Sequence, residues 1–287
     1  MSARPHTVLV TGCSSGIGRA TAERLARGGR HVFATARNLD SIRDLEASGC
    51  DLLALDVTDE ESMRFAVEEV ERMAGGVDVL VNNAGYSLSG TIEETPLDEV
   101  RRQFETNVFG LVRLTQLVLP GMRSRRSGKI VNLSSMGGKL TFPGGGFYHA
   151  SKHAVEAISD ALRFEVRGFG IDVIVIEPGL IRTNFARTAV TSMRANTEGP
   201  YGNFTDAVAR STEGAYVGPI GRLGGEPDDV ATAIEDALRR RRPPIRRPVT
   251  PSARAFLTLR RLLGDRGWDA LMRRQYPSPG SDRSPTS

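Results

Sequence analysis

The sequence predicts an α/β fold: one doubly wound parallel sheet of about seven strands, with helices on both faces and a helical extension at the C-terminus. Three observations carry this expectation. Short β-branched runs alternate with helical periodicity along most of the chain, the rhythm of successive βαβ units. The run at 171–176 (IDVIVI) is almost wholly apolar, as befits a strand buried on both faces. A chain of 287 residues, 39% hydrophobic and 25% charged, is also large enough to bury a substantial core.

The elements follow in order. Residues 7–10 form a first strand, 16–28 a helix with Ala20, Leu25 and Ala26 on a small apolar face, and 31–35 a second strand. A short strand at 52–55 precedes a helix at 59–73, capped by Thr58 or Asp59. A strand at 77–81, a long helix at 97–122, a strand at 129–133, a helix at 150–167 and the strand at 171–176 continue the pattern. Six strands are placed this way, and the alternation implies about seven. Between 187 and 227 the rhythm fails. That stretch is rich in Gly, Ser, Thr and Asn, with short helical hints, and reads as a segment folding over a substrate. A helix returns at 226–240. One catalytic domain is therefore expected over 1–240, a basic helical extension over 241–276, and a disordered Ser/Pro tail over 277–287.

Charge is distributed unevenly. Residues 239–287 hold 13 Arg against three acids (Asp265, Asp269, Asp282), whereas the remainder is mildly acidic. A uniformly basic nucleic-acid binder is excluded. Cys13 and Cys50 make no disulfide framework, and His6, His31, His149 and His153 lack metal-ligand spacing, so no metal is expected. No run approaches the roughly 18–20 apolar residues of a membrane span, and the N-terminus carries no signal-peptide pattern. A soluble cytoplasmic protein is expected.

At one end of the sheet the residues suit a nucleotide. TGCSSGIG (11–18) leaves the first strand and opens the first helix. Gly12, Gly16 and Gly18 let the backbone approach a pyrophosphate, which the N–H groups and dipole of the helix N-terminus stabilise. The second strand ends Ala36-Arg37, where NAD-binding folds place an acid for the ribose 2′-OH. A guanidinium there suits a 2′-phosphate, favouring NADP(H), although Arg37 also reads as a solvated surface residue. Asp56, at the end of the third strand, suits an adenine amino group or a helix cap.

Chemistry gathers further along. Tyr148 and Lys152 (YHASK) lie four apart at a helix start and share a face. A neighbouring ammonium favours phenolate and lowers a tyrosine pKa. Ser135 stands thirteen residues before Tyr148, just past a strand end, and that offset prefers it to Ser134. Asn82-Asn83-Ala84-Gly85 closes the fourth strand, and Asn107 sits inside the next helix, where a polar residue needs a reason. His149 and His153 read as helix-surface residues, and loop geometry explains Cys13 better than redox chemistry does.

These motifs resemble the short-chain dehydrogenase/reductase family. Thr11-Gly12-x-x-x-Gly16-Ile17-Gly18, Asn82-Asn83-Ala84-Gly85, Asn107, Ser135, Tyr148-x-x-x-Lys152 and Pro178-Gly179 stand in the family's order and spacing over about residues 5–240. The extension and the ATARN and LDVTD segments look like the branch of 17β-hydroxysteroid and retinol dehydrogenases. The resemblance implies a Rossmann-type fold and an NADP(H)-dependent oxidoreductase acting on a small molecule, interconverting a carbonyl and an alcohol. It implies Tyr148 as general acid in reduction, Ser135 binding the carbonyl oxygen, Lys152 lowering the Tyr148 pKa and holding the nicotinamide ribose, and Asn107 holding a relay water. It further implies Gly12, Ser14, Ser15, Gly16, Ile17, Gly18, Arg37, Asp56, Val57, Asn83, Ala84 and Gly85 around the cofactor, joined by Tyr148 and Lys152. Pro178, Gly179, Ile181 and Thr183 would line the nicotinamide. A catalytically silent nucleotide sensor and an epimerase on the same fold are the rival readings. The complete Ser, Tyr, Lys and Asn set opposes the first, and the missing sugar-nucleotide domain the second.

Phe185, Met193, Tyr201, Phe204, Tyr216 and Val217 suggest a hydrophobic substrate of steroid, retinoid, polyketide or fatty type. A homodimer or homotetramer is expected through apolar outer faces bearing Phe104, Val108, Leu111, Leu119, Val155, Ile158 and Leu162. In 253–263, Phe256, Leu257, Leu259, Leu262 and Leu263 fall largely on one side and Arg254, Arg260 and Arg261 tend to the other. Such a helix could touch an anionic membrane, but docking of 250–276 on the substrate lobe is the expectation.

Overall fold

The computed structural model describes residues 6–183 and 199–279. Seven parallel strands make one sheet: β1 Thr7–Val10, β2 His31–Ala36, β3 Cys50–Ala54, β4 Val79–Asn82, β5 Gly128–Leu133, β6 Ile171–Pro178 and β7 Arg246–Val249. Their order is β3-β2-β1-β4-β5-β6-β7. The chain winds outward in one direction from β1 and in the other from β4. The crevice at the carboxyl ends of these two strands is where open α/β sheets bind ligands. The six expected strands are present. The seventh lies inside the segment expected to be a helical extension, so the sheet does not end at residue 240. Arg246 pairs with Val175 and Pro248 with Glu177. As an edge strand, β7 tolerates a proline that lacks the N–H an interior ladder needs.

Eight helices are described: α1 Gly16–Arg27, α2 Glu60–Ala74, α3 Leu97–Phe104, α4 Gly110–Arg125, α5 Gly146–Val166, α6 Gly202–Val217, α7 Pro227–Arg239 and α8 Pro251–Gln275. Side chains of each strand alternate between two cores. Val8 and Val10 join Leu25, Ile174 and Ile234 on one face, while Leu9 joins Phe33, Leu114 and Ile130 on the other.

Several expectations are corrected. Asp59, not Thr58, caps α2, accepting from the amides of Glu61 and Ser62. The long helix expected over 97–122 is broken by a π turn at Glu105–Phe109. The helix expected from residue 150 begins at Gly146, so Tyr148 and Lys152 both lie on α5. Of the segment expected to be irregular over 187–227, residues 202–217 are a regular helix, α6. Residues 184–198, with Phe185 and Met193, lie outside the described residues, as do 280–287 of the expected tail. Among the residues expected on outer faces, Val108, Leu111, Val155 and Leu162 are buried. The exposed aromatics there are instead Phe109 and Phe164.

The C-terminal helix packs on the domain. Phe256, Leu257, Trp268 and Met272 meet Leu140 and Phe142, and the Trp268 indole donates to the Thr141 carbonyl at 3.0 Å. Gly264, at φ +60°, kinks α8 just past the stripe expected over 253–263. Leu262 is left 78% exposed. Among the described residues no helix is long and apolar enough to cross a membrane.

Candidate active site

The loop between β1 and α1 is built by glycines for steric reasons. Gly12 and Gly16 hold φ of +71° and +61°, a region L side chains rarely adopt. A Cβ on Gly18 would fall 2.3 Å from the Gly12 carbonyl oxygen. The sequence after β4 locks this loop in place. The Asn83 amide donates to the carbonyls of Thr11 (2.8 Å) and Gly12 (3.1 Å), and the Thr11 hydroxyl accepts from the backbone amides of Asn83 and Ala84, both at 2.9 Å. Ser14 and Ser15 are exposed at the start of α1. The Ser15 side chain makes no cap hydrogen bond, and no acid occupies the first turn. This close-approach backbone ending in a helix N-terminus fits a dinucleotide pyrophosphate.

The same edge gathers the remaining cofactor candidates. Arg37 is exposed beyond β2 and makes no ion pair among the described residues. Asp56 accepts from the Thr58 amide and hydroxyl at 2.9 and 2.7 Å, a local turn that spends one of its oxygens. Val57 is buried, its carbonyl against Gly110. Ile17 packs on the α1 side of the core. Thr183 reaches the glycine loop: its methyl would lie 3.3 Å from a Cβ on Gly16. Pro178 and Ile181 are buried beside it. Gly179 has a further role that spacing did not disclose. A Cβ there would strike the hydroxyls of Thr250 and Ser252, each at 2.5 Å, so this glycine lets α8 close on β6. Ser252 then accepts from the Leu180 amide at 3.2 Å.

Ser135, Tyr148, Lys152 and Asn107 converge just past β4 and β5. The Ser135 side chain caps a short turn by accepting from the Gly137 amide at 3.0 Å, and it is also hydrogen-bonded to the Tyr148 phenol. Ser134, its neighbour, is buried, and its hydroxyl has no hydrogen-bond partner among the described residues. Burial pushes the Tyr148 pKa well above its ordinary value, the Ser135 bond pulls it down, and nearby Tyr216 of α6 adds to the rise. Lys152, expected to lower it, is not among these influences: its ammonium stands 6.0 Å from the ring centroid, and burial dominates. Lys152 donates to the Leu133 carbonyl at 2.7 Å, and burial brings its pKa down to about 8 while Glu156 opposes the fall.

Asn107 is buried on the π turn. Its amide nitrogen donates to the Tyr86 carbonyl (2.9 Å) and the Ser151 hydroxyl (3.1 Å), and its oxygen accepts from the Tyr86 amide at 3.0 Å. That oxygen lies 3.0 Å, and the Lys152 nitrogen 3.7 Å, from where a Cβ on Gly85 would stand, so Gly85 keeps the two polar groups adjacent. His149 is structural. Its ring Nδ1 donates to the Gly137 carbonyl (3.2 Å), the ring fills the space that Gly137 and Gly145 leave, and burial pushes its pKa down to about 4. The Cys13 thiol is buried, donates to the Val10 carbonyl and is pushed up to about 12, which suits a loop anchor. Among the described residues no cluster could hold a metal ion.

Sequence reading gave no role to three supports of this site: the Thr11 hydroxyl, Ser151 and the buried chain running from Asn82 through Asn132 to Ser159 at 2.9 Å per link. A signal existed for the last, since Asn132 interrupts the apolar run of residues 130–133.

Comparison with known proteins agrees with this geometry. Residues 6–194 match the model of the short chain dehydrogenase family. A 3-ketodihydrosphingosine reductase of Bacteroides thetaiotaomicron is 38% identical over 86% of this chain and 89% of its own. An NADPH-dependent 3-dehydrocapnine reductase of Ornithobacterium rhinotracheale is 35% identical over 92% and 94%. Among solved structures, a serine dehydrogenase in its closed form with NADP+ superposes with a TM-score of 0.73 at 28% identity, covering 85% of this chain and 94% of that one. With the glycine loop, the Asn83 clamp and the Tyr148–Lys152 pair in one crevice, the chain belongs to the short-chain dehydrogenase/reductase family as an NADP(H)-dependent oxidoreductase.

Proposed function

We propose that this enzyme interconverts a ketone and a secondary alcohol on a lipid-like substrate, with Tyr148 as general acid in the reducing direction. The observation that carries this reading is the hydrogen bond between the Tyr148 and Ser135 hydroxyls at the carboxyl edge of the sheet, with the Lys152 ammonium behind them. When bound, NADPH supplies the hydride. The side chains do the rest. Tyr148, kept protonated by burial, presents its proton to a carbonyl oxygen, and Ser135 holds that oxygen through a second hydrogen bond. Lys152 holds positive charge beside the phenolate that remains and meets the nicotinamide ribose. Asn107, next to Lys152, lies on the route by which a proton returns from solvent. Arg37 pairs with the 2′-phosphate.

Tyr216 beside the phenol and Phe142 behind His149 give the substrate side an apolar wall. That wall and the two relatives named as 3-ketodihydrosphingosine and 3-dehydrocapnine reductases favour a long-chain ketone over a sugar or a small polar acid. The test is NADPH oxidation with 3-ketodihydrosphingosine, shorter β-keto amines, steroid ketones and simple aldehydes. A kcat/KM that rises with chain length supports the reading. Turnover of short polar ketones alone rejects the lipid class, and no turnover of any carbonyl rejects the activity. We propose in addition that two or four copies associate through the outer faces of α4 and α5.

A further inference from the structure

Two buried carboxylates, one on the helix that carries Tyr148 and Lys152 and one on the strand behind it, are not used by the reaction above. Glu156 follows Lys152 by one turn on α5, so the two side chains share its inward face. Glu156 is 3% exposed, and Glu177, near the end of β6, is 2% exposed. Ionised groups at that depth need partners. One oxygen of Glu156, Oε2, has two: Lys139 Nζ at 3.0 Å and Arg246 Nε at 2.9 Å. Its other oxygen, Oε1, meets no donor among the described residues.

The Glu177 carboxyl is within hydrogen-bonding reach of Glu156 and lies 3.7 Å from Arg246 Nε. Two carboxylates cannot bond one another without a proton. A proton on Glu177 would let it donate to Glu156, whose Oε1 lacks a donor, and would remove the repulsion. The other charged groups around the pair are accounted for. Asp160 of α5 is held at 2.6 Å by both Arg163 and Arg246, which commits the far nitrogen of Arg246 to it. Lys139 serves Glu156, and Lys152 stands one turn above. Gly138 lets these groups close up, since a Cβ there would lie 2.9 Å from Glu156 Cγ and 3.0 Å from the Lys152 carbonyl oxygen.

We propose that Glu156, fixed by Lys139, Arg246 and a proton shared with Glu177, is a positioning residue that keeps Lys152 charged inside the buried site. An ammonium removed from water tends to lose its proton, and a fixed anion one turn away opposes that loss. The directions agree: burial brings Lys152 down to about 8 with Glu156 as the opposing influence, and Glu177 is pushed up to about 7 by burial and by Glu156. The functional half rests on the reading of Tyr148 and Lys152 as the reaction centre. The shared proton does not.

The experiment separates these halves. Below a pH of about 8 Lys152 carries its charge, so kcat/KM falls on the alkaline side as that proton leaves. Glu156→Gln removes the fixed anion and moves this limb to lower pH by about half a unit or more. Glu156→Asp keeps the anion and restores the limb. Glu177→Gln supplies an amide donor for Oε1 that does not titrate, and is read in thermal melts across pH. The native protein holds the Glu177 proton more tightly than the unfolded chain, so wild-type stability declines as pH rises from the ordinary carboxylate range to about 7. Glu177→Gln flattens that decline.

An unmoved alkaline limb in a folded Glu156→Gln protein overturns the positioning role. A Glu177→Gln protein that keeps the wild-type decline overturns the shared proton. Should Glu156→Gln not fold, the Glu177→Gln melts and the Glu156→Asp limb carry the decision: a wild-type decline, or an Asp limb displaced as far as loss of charge would displace it, rejects the proposal.

Discussion

Tyr148→Phe keeps the ring, its burial and its packing, and deletes the one hydroxyl bonded to Ser135. General acid help is worth about 10²–10⁴-fold, so kcat should fall by that factor while the NADPH dissociation constant, read by fluorescence titration, stays as it was. A variant retaining more than about a tenth of the rate would place the acid elsewhere. Arg37 makes the complementary expectation for binding. Its exposed guanidinium has no ion pair among the described residues, and Arg37→Asp replaces a phosphate partner with a group that repels phosphate and accepts from a 2′-OH. The ratio of kcat/KM for NADPH to that for NADH should drop and approach inversion. A wild-type enzyme that already prefers NADH would reject this role for Arg37.

The β1–α1 turn shows how an element acts as a unit. A methyl on Gly18 would collide with the Gly12 carbonyl and, at 2.4 Å, with the Asn83 amide that clamps the loop. Overpacking of this kind costs about 1–3 kcal/mol. Gly18→Ala should therefore lower the melting temperature and weaken NADPH binding together. Unchanged binding in calorimetry would mean that the loop relaxes without moving its amides. This turn was legible in the sequence because its glycines obey a backbone constraint that spacing alone expresses. Six strands were legible for the same kind of reason, since β-branched runs have few other uses. Strand β7 was not: Arg246, Arg247 and Pro248 look like anything but a strand, and only pairing with β6 at an edge makes them one. Helix α6 was masked by its Gly, Ser and Thr content. The four candidate catalytic residues could be listed from their motifs, but the π turn that orients Asn107 and the burial that governs the Tyr148 pKa are properties of packing.

At the scale of the molecule, what the surface leaves open bears on assembly. Phe109 on the π turn is 54% exposed, Phe164 on α5 is 74% and Leu97 at the start of α3 is 59%. Large apolar groups left in water on neighbouring helices suit a self-complementary interface. Light scattering at micromolar concentration should give twice or four times the 31.1 kDa chain mass, and Phe164→Asp should lower it. A wild-type monomer would reject the expectation. The C-terminal helix poses a different question, because its arginines and exposed Leu262 could meet an anionic membrane while its buried face packs behind the proposed substrate wall. The contacts favour the second use. Phe142 lies between His149 of the catalytic helix and both Phe256 and Trp268 of α8, with ring centroids 6.0, 5.6 and 5.6 Å away, and Ser252 accepts from Leu180 beside the nicotinamide candidates. A cut after Arg240 would also delete β7, so the informative truncation ends at Thr250 and spares the sheet. It should raise KM for the carbonyl substrate and lower the melting temperature, leaving the NADPH-to-NADH preference unchanged, because Arg37 and the glycine loop lie at the far end of the crevice. Kinetics identical to the full chain, with binding to anionic liposomes lost, would instead assign α8 to the membrane.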